Sequence, residues 1–143
     1  MIVRPADPRD ADAVLALMEG LTRPAVADDP EAQRDVFLAH LAHQDALVYV
    51  AEVDEEIAGA VSLWFQPRLN WTSPQAWIPD LYVEPAFRRR GAARALLDAC
   101  VEEARRRGCH RLVLESGHHR AEAHRLYEQY GFQHYARAYT LEL

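Results

Sequence analysis

The residues most able to do chemistry sit together in the run Arg88-Arg89-Arg90-Gly91-Ala92-Ala93, which follows a strand-like stretch and opens an apolar-periodic helix. Backbone N–H groups at a helix start have no intrahelical partner, and the helix dipole favours negative charge there. Gly91 permits close backbone approach, and Ala92 and Ala93 keep side-chain bulk away from a ligand. A pyrophosphate fits that description. No Gly-Lys-Ser/Thr follows and the three-glycine dinucleotide pattern is absent, so the run is neither a P-loop nor a dinucleotide fingerprint.

Charge is divided along the chain. Residues 1–56 hold 13 Asp and Glu against 4 Arg, whereas residues 57–143 hold 9 acids against 12 Arg, and no lysine occurs. Ten of the sixteen arginines fall between Arg88 and Arg125, so an anionic ligand is expected there and a cationic one nearer the acidic half. The net charge of -6 speaks against a general nucleic-acid binder, which needs a basic surface to displace phosphate counterions. A chain of 143 residues, half of them apolar, fits one compact domain over 1–143. No apolar run approaches a membrane span, and Met1-Ile2-Val3-Arg4-Pro5 lacks the basic-then-apolar start of a secretory signal. A soluble cytoplasmic protein with no membrane partner is expected. Cys100 and Cys109 suit a reducing compartment and read as core residues.

The elements that must position the loop follow from period and punctuation. Ile2-Val3-Arg4 reads as a first strand. Pro8 and Asp10 open a helix through Met18, with Ala13, Val14, Leu17 and Met18 on one face and Gly20 as its stop. Asp28-Asp29-Pro30 caps a second helix, carrying Val36, Phe37, Leu38 and Leu41 and ending near His43. Leu47 to Val53 and Ile57 to Phe65 form a hairpin across Asp54-Glu55-Glu56. Pro67 to Pro74 is a polar loop. Ala76 to Val83 reads as a strand interrupted by Pro79, which cannot donate a ladder hydrogen bond. Gly91 to Arg107 is a long helix closed by Gly108, and Arg111 to Glu115 a buried strand. Ala121 to Tyr130 is a further helix stopped by Gly131, and Phe132 to Leu143 supplies one or two closing strands.

Two motifs then stand at a telling separation. Leu81-Tyr82-Val83-Glu84-Pro85 with Arg88-x-x-Gly91-x-Ala93 and a helix bearing Leu96-Leu97 comes first. Ala123-x-x-Leu126-Tyr127-Glu128-x-x-Gly131-Phe132 comes later. The pattern resembles the GCN5-related N-acetyltransferases (GNAT), closely over residues 76–133 and by element order elsewhere. Glu115-Ser116-Gly117 with Arg120, Ala123-His124 and Tyr127 looks like small-molecule amine acetyltransferases, notably the aminoalkylphosphonate type. One departure is Arg120, where many relatives carry asparagine. The resemblance implies an α/β fold of the α+β kind, with a mixed, mostly antiparallel sheet of six to seven strands and about four helices. It also implies a V-shaped opening between the fourth strand (76–83) and the fifth (111–115).

In that opening the resemblance places acetyl-CoA as co-substrate, with pantetheine on the backbone of Leu81 and Val83. Leu81, Tyr82, Val83, Arg88, Arg89, Arg90, Gly91, Ala92 and Ala93 are the cofactor-binding residues it implies. Acyl transfer to an amine needs a base, an oxyanion donor and an acid for the departing sulfur. Tyr127 matches the family tyrosine that serves as acid. For the base, Asp80, Glu84, Glu115 or a water are open, and Asp80 is preferred for its place beside the presumed opening. The implied function is acetylation of a primary amine of a small molecule by direct attack in a ternary complex. A protein amino-terminal or lysine acceptor, or a non-catalytic CoA-binding sensor domain, is the alternative. A phosphonate-bearing acceptor would draw on a cation such as Arg68 or Arg120. Homodimers are common in the family, so a homodimer is among the expected partners. No metal is expected: His118-His119 with His124, and His40 with His43, lack an acidic ligand at a recognisable spacing. Of Trp64, Trp71 and Trp77, Trp71 in the polar loop is the better ligand candidate.

Overall fold

The computed structural model describes residues 1–21 and 29–143, so Asp28 of the expected cap lies outside the described residues. The chain divides into two compact units, Met1–Val113 and Leu114–Leu143. The first holds strands β1 (Ile2–Pro5), β2 (Ala46–Val53), β3 (Glu56–Gln66), β4 (Gln75–Ile78) and β5 (Leu81–Val83), with helices α1 (Ala11–Glu19), α2 (Pro30–Ala42) and α3 (Ala92–Arg106). Strand β6 (Leu112–Leu114) straddles the boundary, and α4 (Ala121–Tyr130) belongs to the second unit. The sheet runs β1-β2-β3-β4-β6, with β5 also beside β3. Every pairing among β1 to β5 is antiparallel. Between β4 and β6, His110 N–H donates to Pro74 O and Ala76 N–H to Arg111 O. Both partners advance together, which is the parallel sense. The fold is therefore the mixed sheet with four helices that the resemblance implied.

Local chemistry explains the boundaries. Asp29 caps α2 by accepting from Ala32 N–H at 3.0 Å, and Pro30 occupies the first turn, where its missing N–H costs nothing. Asp54 and Glu55, at φ 54° and 68°, make a two-residue hairpin loop that lets Val53 face Glu56. Leu96, Leu97 and Cys100 on α3 are wholly buried, as are Val61 and Leu63 of β3. Burying each such aliphatic side chain contributes about 1.5–3 kcal/mol. The other face of the sheet carries α1 and α2 through Val14, Leu17 and Phe37. Of the apolar residues read on the second helix, Val36 and Leu38 are exposed, and Phe37 turns fully inward.

Two expectations about strands are revised. The stretch 76–83 is not one interrupted strand but two, β4 and β5, parted by Pro79 and Asp80. Residues 133–143 form neither helix nor strand, and every one of them is exposed. Alternation identifies a face for burial, but a strand also needs a partner edge for its backbone.

Arg4 ties β1 to the turn before α1. Its guanidinium donates to Asp10 Oδ2 at 2.8 Å and Oδ1 at 2.9 Å, and to Glu52 Oε1 at 2.8 Å. Asp10 is buried and also accepts from Asp7 N–H at 2.8 Å, and these bonds, that from Arg4 foremost, hold its carboxyl below the usual range. A carboxyl depressed in the folded state stabilises above its unfolded pKa and stops doing so as pH falls through the folded value. Asp10→Asn is expected to cost about 2 kcal/mol at neutral pH, and the gap to the parent should close below about pH 4. Urea unfolding at several pH values measures both.

Candidate functional site

The break at Pro79–Asp80 is a one-residue slip in register. Trp64 faces Trp77, Phe65 faces Ala76 and Gln66 faces Gln75, a spacing that would set Val61 against Asp80. Instead Val61 faces Leu81, Ala60 faces Tyr82 and Gly59 faces Val83. One extra residue is accommodated as a β-bulge, a device that re-aims backbone and side chains. Its effect can be read from the bonds on either side. Ser62 N–H donates to Asp80 O at 2.9 Å, and Glu84 N–H donates to Ala58 O at 2.8 Å. Hydrogen-bonded and non-bonded pairs alternate along an antiparallel ladder. Tyr82 is therefore bonded to Ala60, while the N–H and C=O of Leu81 and of Val83 point away from β3. On that side β5 has no strand neighbour among the described pairings, since β6 joins the sheet at β4.

Side chains hold this edge in place. Leu81 and Val83 are buried, and Val83 packs on the side of Leu96 of α3. The Tyr82 ring lies over Gly20 at the end of α1, where a Cβ would collide with it. Gly59 is a second close approach: a Cβ there would stand 2.9 Å from the Tyr82 carbonyl oxygen and 2.9 Å from Val83 Cγ2. Asp80, half-buried at the bulge, accepts from Ser62 Oγ at 2.9 Å through Oδ2. Glu84 and Glu115 are exposed.

The arginine loop continues from β5. Pro85–Phe87 makes a single 3-10 turn, Arg89 adopts φ 61° and Gly91 φ 84°, and α3 begins at Ala92 with no side-chain cap. Left-handed residues in a turn bring successive N–H groups onto a concave surface, which suits an anion. The three arginines divide their work. Arg88 Nε donates to the Val83 carbonyl at 3.0 Å, and its guanidinium lies 5.5 Å from the Tyr82 ring centre. Arg90 reaches Asp54 at 3.4 Å and stands over Phe87. All three are exposed, as is Gly91, while Ala92 is buried and Ala93 half-buried. Within the first unit, Asp80, Leu81, Tyr82, Val83 and residues 88–93 thus form one continuous bulge, edge and loop.

The second unit supplies Tyr127, which is buried and meets Phe132 edge-on with ring centres 5.8 Å apart. Burial pushes its phenol up, only partly opposed by Arg120. Arg120 stands at the N-cap of α4 without a side-chain capping bond. Ser116 Oγ is buried and makes no hydrogen bond.

The remaining candidates separate. Trp64 and Trp77 face each other across β3 and β4, and His40 and His43 lie against Trp64 at 5.2 Å and 4.9 Å. Trp71, half-exposed, stacks on His110 at 4.2 Å. Arg68 and Arg111 both donate to Oε1 of buried Gln75, at 2.9 Å and 3.0 Å. Cys100 is a core filler whose thiol is pushed up to about 12 by burial, so it offers no thiolate near neutrality. A depression of about 410 Å³ between α1 and α2 is lined by Asp12, Glu19, Glu31 and Arg34 among others. It is a charged surface, and Arg34 bonds Asp12 across it. Sequence reasoning missed Ser62 and Gly59. Gly59 carried a signal, because glycine inside a strand often marks a close backbone approach. Ser62, one hydroxyl in an apolar run, carried none.

Comparison with known proteins places this geometry in context. The model of the acetyltransferase (GNAT) family matches residues 14–132. The aminoalkylphosphonate N-acetyltransferase of Salmonella typhimurium is 31% identical over 131 residues, covering 92% of this chain and 84% of that protein. The crystal structure of a transcriptional regulator from Bacillus halodurans superposes with a TM-score of 0.91 at 26% identity, over 99% of each chain. The aminoglycoside N-acetyltransferase AAC(6')-Iy in complex with CoA shares the fold at a TM-score of 0.86 and 17% identity, over 99% of this chain and 93% of that one.

Because the glycine contact is with backbone, Gly59→Ala should force β5 away from β3. A loss of about 1–3 kcal/mol is expected, with faster hydrogen exchange at Tyr82 and Glu84. An unchanged urea midpoint would mean that the strands are not held this closely.

Proposed function

The chain belongs to the acetyltransferase (GNAT) family, and from that premise we propose that it transfers an acetyl group to the primary amine of a small molecule by direct attack in a ternary complex. It is an N-acyltransferase with acetyl-CoA as co-substrate. The observation that carries the reading is the outward-facing backbone of Leu81 and Val83, continuous with the uncapped start of α3. Amide groups of a pantetheine arm find complementary donors and acceptors along such an edge, and a pyrophosphate finds N–H groups at residues 91–93. Arg88 holds the Val83 carbonyl that the arm would share, and Arg89 and Arg90 add positive charge at the mouth. The two units act together as one acetyltransferase domain over 1–143, a reading supported by the family match across 14–132.

In the proposed reaction Asp80, directly or through water, takes a proton from the acceptor ammonium. The freed amine nitrogen bonds to the thioester carbonyl carbon, a backbone N–H holds the developing oxyanion, and the carbon–sulfur bond breaks. Tyr127 gives its proton to the departing sulfur, and the second proton shed by the new amide nitrogen restores the phenol. A buried phenol with a raised pKa suits that role, because it stays protonated through neutral pH. The acidic amino-terminal half favours a cationic acceptor, and the likeness to the Salmonella enzyme supports a small aminoalkyl compound. Arg68 or Arg120 is proposed to meet an anionic group on it. Among the described residues no helix is long and apolar enough to cross a membrane. The free cysteines support the reading of a cytoplasmic protein, and a homodimer is its proposed assembly.

Release of free thiol from acetyl-CoA across a panel of amines tests the function. Amine-dependent release is expected, and CoA binding without release for any amine would favour a sensor. Tyr127→Phe should lower kcat by about a hundredfold or more while leaving acetyl-CoA affinity intact. Parent kcat should fall on the alkaline side only above about pH 10, since the acid form is lost as pH rises through a raised pKa. Full turnover in Tyr127→Phe would remove it from the mechanism. Gly91→Glu, which sets a carboxylate where the anion would lie, should abolish acetyl-CoA binding in a folded protein.

A further inference from the structure

We propose that Ser62 is a positioning residue for acyl transfer: its hydroxyl holds the Asp80 carboxylate in the orientation from which that carboxylate takes the acceptor's proton. The proposal rests on the reading of Asp80 as the base. Ser62 lies on β3 in the run Ala58 to Leu63, every residue of which is buried, and it carries the polar side chain of that run. A hydroxyl enclosed among apolar residues costs stability unless it is bonded. This one donates its single proton to Asp80 Oδ2 at 2.9 Å. The carboxylate is the partner that offsets the cost.

Two features make the bond a means of orientation. The backbone joins the same two residues separately, Ser62 N–H donating to Asp80 O at 2.9 Å, so the hydroxyl acts on the side chain and the bulge is anchored without it. The torsion that turns a carboxylate is broad, and a short, buried side chain is a stiff anchor for it. Alternation along β3 then puts Ser62 on the face of Ala60, which packs with Val14, Leu17 and Phe37 of α1 and α2. The bonded carboxylate lies on that side, where the acidic amino-terminal half favours a cation, and not on the side of Gly59 and Leu96. A base must come within about 2.6–3.2 Å of the proton it removes, and misplacement by about 1 Å costs about a hundredfold.

The test is a cycle of Ser62→Ala, Asp80→Asn and the double variant. It is read by thiol release from acetyl-CoA with 2-aminoethylphosphonate, or with the fastest amine of the panel if that compound does not react. Ser62→Ala keeps the backbone bond and is expected to lower kcat by about ten- to a hundredfold, with the acetyl-CoA dissociation constant unchanged. Added to Asp80→Asn, it should cost no further turnover. Ser62→Thr, which keeps a hydroxyl, should recover most of the lost turnover. Ser62→Cys, a weak donor of similar volume, takes the place of Ser62→Ala if the latter does not fold. Parent kcat in Ser62→Ala, equal fold-losses with and without Asp80, or a folded Ser62→Thr no faster than Ser62→Ala overturns the proposal and leaves Asp80 as the base. A loss in Ser62→Ala that comes with weaker acetyl-CoA binding also overturns it, because the serine would then be shaping the edge of β5. Parent kcat in Asp80→Asn, or no release with any amine, removes the base itself and the proposal with it.

Discussion

One extra residue at Pro79–Asp80 governs the arrangement of the candidate site. Without the slip, β4 and β5 would be a single strand and the Leu81 and Val83 backbones would sit in a different phase against β3. With it, β5 keeps Tyr82 bonded to Ala60 and turns the groups of Leu81 and Val83 away. Proline suits that position, because it has no N–H to leave unmade. The same slip sets Asp80 where its backbone carbonyl accepts from Ser62 N–H and its carboxylate from Ser62 Oγ, so one serine pins both parts of the bulge.

The rest of the first unit follows from that edge. A strand three residues long is stable only if both its faces are covered, and here Leu81 and Val83 are buried on one face while the Tyr82 ring rests against α1 over Gly20. Two glycines, at 20 and 59, are needed because ring and backbone come too near for a Cβ. The α3 helix adds packing through Leu96 and an anion-favouring start in one element. Arg88 links the two by bonding the Val83 carbonyl, so the loop and the edge are positioned by a single side chain.

Much of this was legible in the residues, and the remainder was not for physical reasons. Period and turn chemistry marked the β2–β3 hairpin, and Gly91 and Gly108 bracketed α3 at its observed ends. Pro79 announced a break in the strand, but no residue type encodes the one-residue slip, which exists only relative to β3. Residues 81–83 and 88–93 were linked by motif, whereas the bond that joins them, from Arg88 to Val83, needed coordinates. The alternation after Phe132 was real, yet a strand pattern does not name its partner edge, and the segment finds none in its own chain. Val36 and Leu38 of α2 show that apolar residues on a helix need not face the core.

The central claim is that Leu81 and Val83 present their backbone outward as the surface for acetyl-CoA. Residue-resolved hydrogen exchange with and without acetyl-CoA tests it most directly. In the free protein, Tyr82 and Glu84 amides should be protected and Leu81 and Val83 amides should exchange quickly. Added acetyl-CoA should then protect Leu81 and Val83 and leave Tyr82 unchanged. Exchange at Leu81 and Val83 that does not respond to saturating acetyl-CoA would contradict the account.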